Sequence, residues 1–184
     1  TCLEEDEGQY DAVAPIFWAS GACFFINREV YLKEGGLDAV FFAHQEEIDL
    51  CWRLHCRGYQ IMAVPQSVVY HVGGATLEYE SPRKTFLNFR NNLLMLYKNL
   101  PTMKWLLVML IRLLLDYVAA LQMLFAGKWL NFKAVLQARC AFWKLRMSYK
   151  EKRSNCIRKS KTLNPTLISK RSIIFDYYLL GKRK

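Results

Sequence analysis

The spacing of apolar and polar positions along the chain changes several times, and each change predicts a different element. The opening stretch "TCLEEDEGQYDAVAP" is acidic and aperiodic, the pattern of a surface loop. In "FWASGACFFINREVYLKEGGLD" an apolar run predicts a buried strand at Ala22 to Ile26, then a short helix from about Arg28 that stops at Gly35 and Gly36. The stretch "FFAHQEEIDLCWRLHCRGY" predicts a helix that runs to about Cys56 and ends at Gly58. Two short β-rich runs follow, "YQIMAVP" and "SVVYHV", with Pro65 between them.

Beyond residue 80 the period becomes helical as far as about Arg146. Ser81 is placed to cap and Pro82 to occupy the first helical position, so a helix is expected to run until just before Pro101. Trp105 to Ala126 is dominated by Leu, Val, Ile and Met, and Lys128 to Arg146 is amphipathic, with Trp129, Phe132, Leu136, Cys140 and Trp143 on one stripe. The remainder reads as a basic, mobile tail before an apolar patch at Ile173 to Leu180. No internal repeat is present.

Composition fits a folded domain, with 53% hydrophobic and 14% aromatic residues in 184. Charge divides the chain near Ser81. Residues 1–80 hold 13 acidic and 4 basic side chains, and residues 81–184 hold 3 acidic and 22 basic. A basic half with long apolar runs points to an anionic partner. Cys2, Cys23, Cys51, Cys56, Cys140 and Cys156 form no C-x-x-C pair and no regular spacing, so reduced thiols are expected rather than a zinc site or disulfide framework. The first residue is Thr1, and no charged start leads into an apolar run, so nothing in these residues resembles a signal peptide and the sequence reads as a fragment or processed piece.

Glu46, Glu47 and Asp49 crowd the start of one helix. Carboxylates in a first helical turn interact favourably with its partial positive charge, and Asp49 can pair with Arg53 at i,i+4. Direction separates Glu47 from the others: it shares a face with Leu50, Cys51, Leu54 and Gly58, the stripe that packs inward. A carboxylate at the edge of an apolar pocket is a candidate general base.

Four blocks in order, "SGACFFINREVYLKEGGLDAVFF", "EEIDLCWRLHCRGY", "VPQSVVYHVGG" and "FRNNLLMLYKN", together resemble the C-terminal half of a family 2 (GT-A type) glycosyltransferase of the bacterial rhamnosyltransferase-like group. The resemblance covers about residues 16–100. It implies an α/β fold: residues 1–100 as the acceptor-side half of a Rossmann-like nucleotide-diphospho-sugar transferase domain, 101–147 as a membrane-associated helical hairpin, and 148–184 as a basic tail.

The resemblance also implies an inverting transfer from a nucleotide-sugar donor to a lipid-linked or polysaccharide acceptor. Glu47 takes the position of the base, with Glu46 and Asp49 supporting. The family usually has Asp there, so the carboxylate of Glu47 stands roughly 1.5 Å further out, one C–C bond. Trp18, Ser20, Gly21 and Trp52 fall near the acceptor, and Arg90 is a candidate for the diphosphate. His71 is a candidate ligand for a divalent cation, Mg or Mn, whose other ligands come from an upstream D-x-D motif. No D-x-D occurs in the 184 residues. His44 and His55 match no family position and read as surface or packing residues.

Trp105 to Ala126 is long enough to span a bilayer, but Arg112 and Asp116 sit near its middle. Twelve Leu, Ile, Val and Phe residues contribute roughly −4 to −7 kcal/mol while two central charges cost roughly +5 to +7, so insertion is balanced. Lysines and arginines flank both ends, which favours an in-plane hairpin on an anionic surface, at the cytoplasmic face of the bacterial inner membrane. Two other functions remain open: a non-catalytic membrane-surface adaptor, and a nucleic-acid binder using the basic tail. The acidic half and the scarcity of aromatics in that tail argue against nucleic acid as partner.

Overall fold

Asn27 opens the first helix, α1 (Arg28–Lys33), by accepting at Oδ1 from the backbone N–H groups of Glu29 at 2.8 Å and Val30 at 3.2 Å. The chain leaves α1 through Gly35 and Gly36, both at positive φ. At Gly36 a Cβ would stand 2.9 Å from the Tyr31 ring, so no larger residue fits without displacement. These features belong to a computed structural model that describes residues 7–71 and 81–168. Thr1, Cys2, Gly73, Gly74 and the patch at Ile173 to Leu180 lie outside the described residues.

The acidic stretch forms α2 (Glu46–Cys56), whose Ncap residue Gln45 is left-handed and gives no side-chain cap. Three carboxylates in the first turn supply the favourable charge that the missing cap does not. At the far end Gly58 takes φ +85 and Tyr59 N–H donates to Leu54 O at 3.1 Å, which ends the helix as expected. In α3 (Pro82–Asn99) Ser81 Oγ accepts from Lys84 N–H at 3.2 Å, Pro82 begins the helix, and Pro101 follows its end. The long apolar run is α4 (Thr102–Phe125), and the amphipathic one is α5 (Trp129–Arg146).

The described residues are mostly helical. Their one sheet is an antiparallel pair, β1 (Ala14–Pro15) with β2 (Met62–Ala63), in register Ala14 to Ala63 and Pro15 to Met62. The expected Rossmann-like α/β sheet is therefore absent among the described residues. Ala22 to Ile26 and Ser67 to His71 carry strand-prone side chains but make no ladder, and Phe25 and Tyr70 are 92% and 96% exposed. Strand propensity alone cannot satisfy backbone N–H and C=O groups; a neighbouring strand has to be present.

Two further expectations change. The stripe Trp129, Phe132, Leu136, Cys140 and Trp143 is not the inward face of α5; Ala134, Val135, Ala138 and Phe142 are buried instead, with Asn131 and Arg139. Small residues let α5 approach α3 closely, and the bulky stripe is left outward. The start of the basic tail is α6 (Tyr149–Lys159), which packs on α3 through Tyr149, Arg153 and Cys156. Lys161 and Thr162 N–H groups then both donate to Cys56 O, at 2.7 and 3.1 Å, tying the following segment to the end of α2.

The core gathers Phe41, Trp52 and Cys56 with Leu93, Leu94 and Tyr97 of α3, Trp105 and Met109 of α4, and Phe142 and Tyr149. Tyr97 meets Trp105 and Phe142 edge-on at 5.2 and 6.2 Å. One core thus joins the acidic first part of the chain to the basic second part.

Candidate functional site

The inward stripe of α2 opens onto a cavity of about 710 Å³. Glu47, Leu50, Cys51 and Leu54, spaced i, i+3, i+4 and i+7, all line it. Trp18, Ser20 and His71 line it too, so the fold brings four of the sequence-derived candidates into one space. The walls are otherwise mainly apolar, from Ile16, Phe24, Ile61 and Met62 among others.

Gly21 stands directly over the carboxylate. A Cβ at Gly21 would lie 3.8 Å from Glu47 Cδ and 3.9 Å from its Oε1, so a side chain in the turn at Ser20 to Cys23 would come into ordinary contact with Glu47. Ser20 Oγ accepts from Ala22 N–H at 3.2 Å and thereby holds that turn. Glu47 Oε2 and Glu46 Oε2 are both buried and accept no hydrogen bond among the described residues. Burial, with a smaller push from Glu47, holds the Glu46 carboxyl above its ordinary range. An unpartnered carboxylate oxygen beside an apolar cavity is chemically able to accept a proton from a bound hydroxyl.

The loop ahead of α2 is what aims this carboxylate. Phe42, His44 and Gln45 all have positive φ, an unfavourable conformation for side-chain-bearing residues. Asn91 of α3, fully buried, directs Nδ2 at Phe41 O, Ala43 O and His44 O, at 2.9, 2.8 and 2.8 Å. Arg90 donates to Val40 O at 2.7 Å and to Asn91 Oδ1. The two residues clamp the strained turn from its inner side. Asn91 had no place among the sequence candidates, though it stands next to Arg90 in "FRNN". Burial lowers the Arg90 pKa, and its committed Nε and Nη2 leave it as a brace for the loop rather than a cavity residue.

Two other candidates lie elsewhere. Trp52 is buried in the core, edge-on to Phe17 at 5.9 Å, because five residues on a helix turn it well away from Glu47. Asp49, two residues on, faces the opposite side and is bound at 3.0 Å to Arg53, at 2.8 Å to Lys98 and at 2.8 Å to Asn99. His55 packs as expected, stacked on Phe17 with Nε2 3.1 and 3.0 Å from the carbonyl oxygens of Ile16 and Phe17. His44 was not a sequence candidate, yet it lies within electrostatic reach of Glu47. Burial and Lys84 lower its pKa, and Glu47 opposes them.

Among the described residues no group of three His, Cys, Asp or Glu side chains could hold a metal ion. His71 contributes one imidazole, and a hard cation such as Mg²⁺ requires several oxygen ligands. The described residues do not by themselves compose such a site.

No protein-family model matches the chain, and no solved structure matches it. Among curated proteins, N-acetylglucosaminyl-diphospho-decaprenol L-rhamnosyltransferase from two strains of Mycobacterium tuberculosis is 35% identical over 57 residues, 31% of this chain. The matched part is 19% of the length of those proteins, so the chain spans about a fifth of the curated relatives it matches. At that coverage the likeness supports a glycosyltransferase role at a coarse level.

Proposed function

We propose that this chain carries the acceptor-side part of a membrane-associated, inverting glycosyltransferase of the GT-A type, with Glu47 as its general base. The observation that carries the reading is the Glu47 carboxylate: unpartnered at Oε2, under the Gly21 turn, and sharing a cavity with Trp18, Ser20 and His71. The partial likeness to a rhamnosyltransferase supports the same class.

In this reading an acceptor hydroxyl sits between Ser20 and Glu47, with Trp18 offering an apolar face to the acceptor. As the hydroxyl oxygen attacks the anomeric carbon, Glu47 takes its proton, and the bond to the diphosphate breaks with its electron pair leaving on the nucleotide. One base and one displacement invert the anomeric centre. Asp49, Arg90 and Trp52 serve the position of α2 rather than the reaction. A divalent cation belongs to the same proposal, with His71 as the ligand this chain contributes; when bound it would neutralise the departing diphosphate. The donor-binding residues would come from sequence beyond the matched segment.

The acceptor class proposed is a lipid-linked or polysaccharide precursor. Support comes from α4, 24 residues long and apolar enough to cross a membrane by length and composition. Its outward face and the outward stripe of α5 would lie in the acyl boundary at the cytoplasmic face of the bacterial inner membrane, with the flanking lysines on anionic headgroups. The decisive experiment is Glu47→Gln in the longer parent protein. Turnover should fall at least ~100-fold with little change in acceptor affinity; activity within a few-fold of the unaltered protein removes Glu47 as the base.

A further inference from the structure

A second cavity, of about 330 Å³, lies between the ends of α1 and α2 and the side of α6. Six of its lining side chains are cationic: Lys33, Arg53, Arg57, Lys98, Lys152 and Lys159. Its lining carboxylates are Glu34 and Asp38. The internal pairing is Arg57 with Glu34, Lys98 with Asp38 and Asp49, Lys152 with Asp38, and Arg53 with Asp49. Four cations thus share three carboxylates, and Lys33 and Lys159 have no ion pair among the described residues. With Asp49 behind the wall counted, the six cations exceed the carboxylates by three.

Arg57 stands apart among the lining cations. Its side chain is only 9% exposed, Nη1 is committed to Glu34, and its buried Nε has no acceptor among the described residues. A desolvated guanidinium N–H without a partner is costly. The Nε edge of the planar fork, closed to solvent here, has the shape that grips an oxyanion once the side chain turns it to the cavity, and flanking ammoniums supply point charge.

We propose that this cavity is a binding site for a phosphate-class oxyanion, held by Arg57 with Lys33 and Lys159 at its mouth. The excess of three charges suits a phosphate better than a single carboxylate, and the volume leaves room for a substituent on the phosphate. The site is independent of the transfer reaction and uses none of its residues. Its occupant could come from solution or from a phospholipid headgroup at the surface that α4 and α5 face.

The test uses the whole 184-residue chain. Inorganic phosphate is titrated by calorimetry, and by ³¹P line broadening, into the unaltered chain, Arg57→Gln, the double variant Lys33→Gln with Lys159→Gln, and the control Lys133→Gln on α5. Saturable binding is expected, weakened roughly tenfold in the double variant and at least as much in Arg57→Gln, and unchanged in the control. The double variant alters exposed, unpaired side chains, so it decides the matter even if Arg57→Gln, which strands buried Glu34, does not fold. No saturation, or equal affinity in the unaltered chain and the double variant, overturns the proposal. Adding vesicles distinguishes the sources of a confirmed site: phosphatidylglycerol displaces phosphate if a headgroup is the occupant, and neither it nor phosphatidylcholine does so if the ligand is free in solution.

Discussion

Asp49 on α2 and Lys98 on α3 form a buried ion pair of 2.8 Å, and the same ammonium reaches Asp38 at 3.1 Å. Asp49 also accepts from Arg53 and Asn99, while Arg53 donates to Glu34 O and, at 2.6 Å, to Gly36 O. This network fastens α1, α2 and α3 together behind the cavity. Removing one member leaves a buried charge uncompensated, so Asp49→Ala should lower unfolding free energy by about 3–5 kcal/mol. Chemical denaturation checks this. If Glu47 is the base as proposed, a folded Asp49 variant of the longer protein should keep the pH profile of turnover, which separates it from Glu47.

Much of this arrangement is legible in the residues before any coordinates. The Ser81–Pro82 start, the Pro101 stop and the Gly58 end are local signals, set by cap geometry and ring closure, and they delimit α2 and α3 correctly. The spacing of Glu47, Leu50, Cys51 and Leu54 identifies the cavity face of α2 for the same reason. What is not local is less legible. α5 has two candidate faces, and close packing on α3 favoured the small residues Ala134 and Ala138 over the large stripe. Tyr149, Arg153 and Cys156 follow i, i+4, i+7, a helical signal hidden by the basic residues around it. Asn91 became visible only when the carbonyls of Phe41, Ala43 and His44 converged on it.

Asn91 gives the next expectation. Its amide meets three carbonyl groups that hold a left-handed turn; Phe41 O also accepts from Ala43 N–H at 2.7 Å, and Ala43 O and His44 O rely on Asn91 for their side-chain donor. Asn91→Ala should destabilise by roughly 2–4 kcal/mol, or about 4–16 °C in melting temperature for a chain of this size. Asn91→Asp should be at least as damaging at neutral pH, since a carboxylate has no proton to offer the carbonyls. Hydrogen exchange should quicken at the amides of residues 41–47 ahead of those in α3.

Acid stability follows from Asp38. Burial alone would raise its carboxyl, but Lys98 and Lys152 overcome burial and hold it below the ordinary value. A depressed folded pKa means stability that is fully present above the unfolded value of about 3.9 and lost as pH falls through the lower folded one. Melting temperature should therefore decline below about pH 4. Asp38→Asn should be less stable at neutral pH and show a flatter decline, as denaturation at a series of pH values would reveal.

Thiol chemistry should divide the cysteines. Cys23 and Cys140 are exposed, whereas Cys51, Cys56 and Cys156 are buried. Burial, with Cys156 nearby, pushes the Cys56 thiol up to about 11, so almost none is thiolate at neutral pH. Mass spectrometry after brief alkylation of the native chain should show Cys23 and Cys140 modified, with the buried three reacting only on unfolding. Early modification of Cys56 would mean that the α2–α6 junction opens readily.

The apolar face of α4 bears on the membrane. Arg112 and Asp116, which as bare sequence interrupt the run, turn out to face inward: Asp116 is 1% exposed and paired at 2.6 Å with Arg112 and at 2.6 Å with Arg139 of α5. The charges are spent on the α4–α5 junction, and the outward stripe of Leu107, Leu110, Ile111, Leu114, Val118 and Leu121 is unbroken. Leu110 and Leu114 are well exposed, so Leu110→Gln with Leu114→Gln removes little packing. If that stripe enters the acyl boundary, the pair should lose about 1–2 kcal/mol each in membrane transfer, a tenfold or greater drop in binding to phosphatidylglycerol vesicles at unchanged melting temperature. Alkaline carbonate should release the unaltered chain from vesicles, because an in-plane hairpin is held by one face and a spanning helix by all of them. Retention after carbonate would instead make α4 a span, with the Asp116–Arg139 pair buried at its centre.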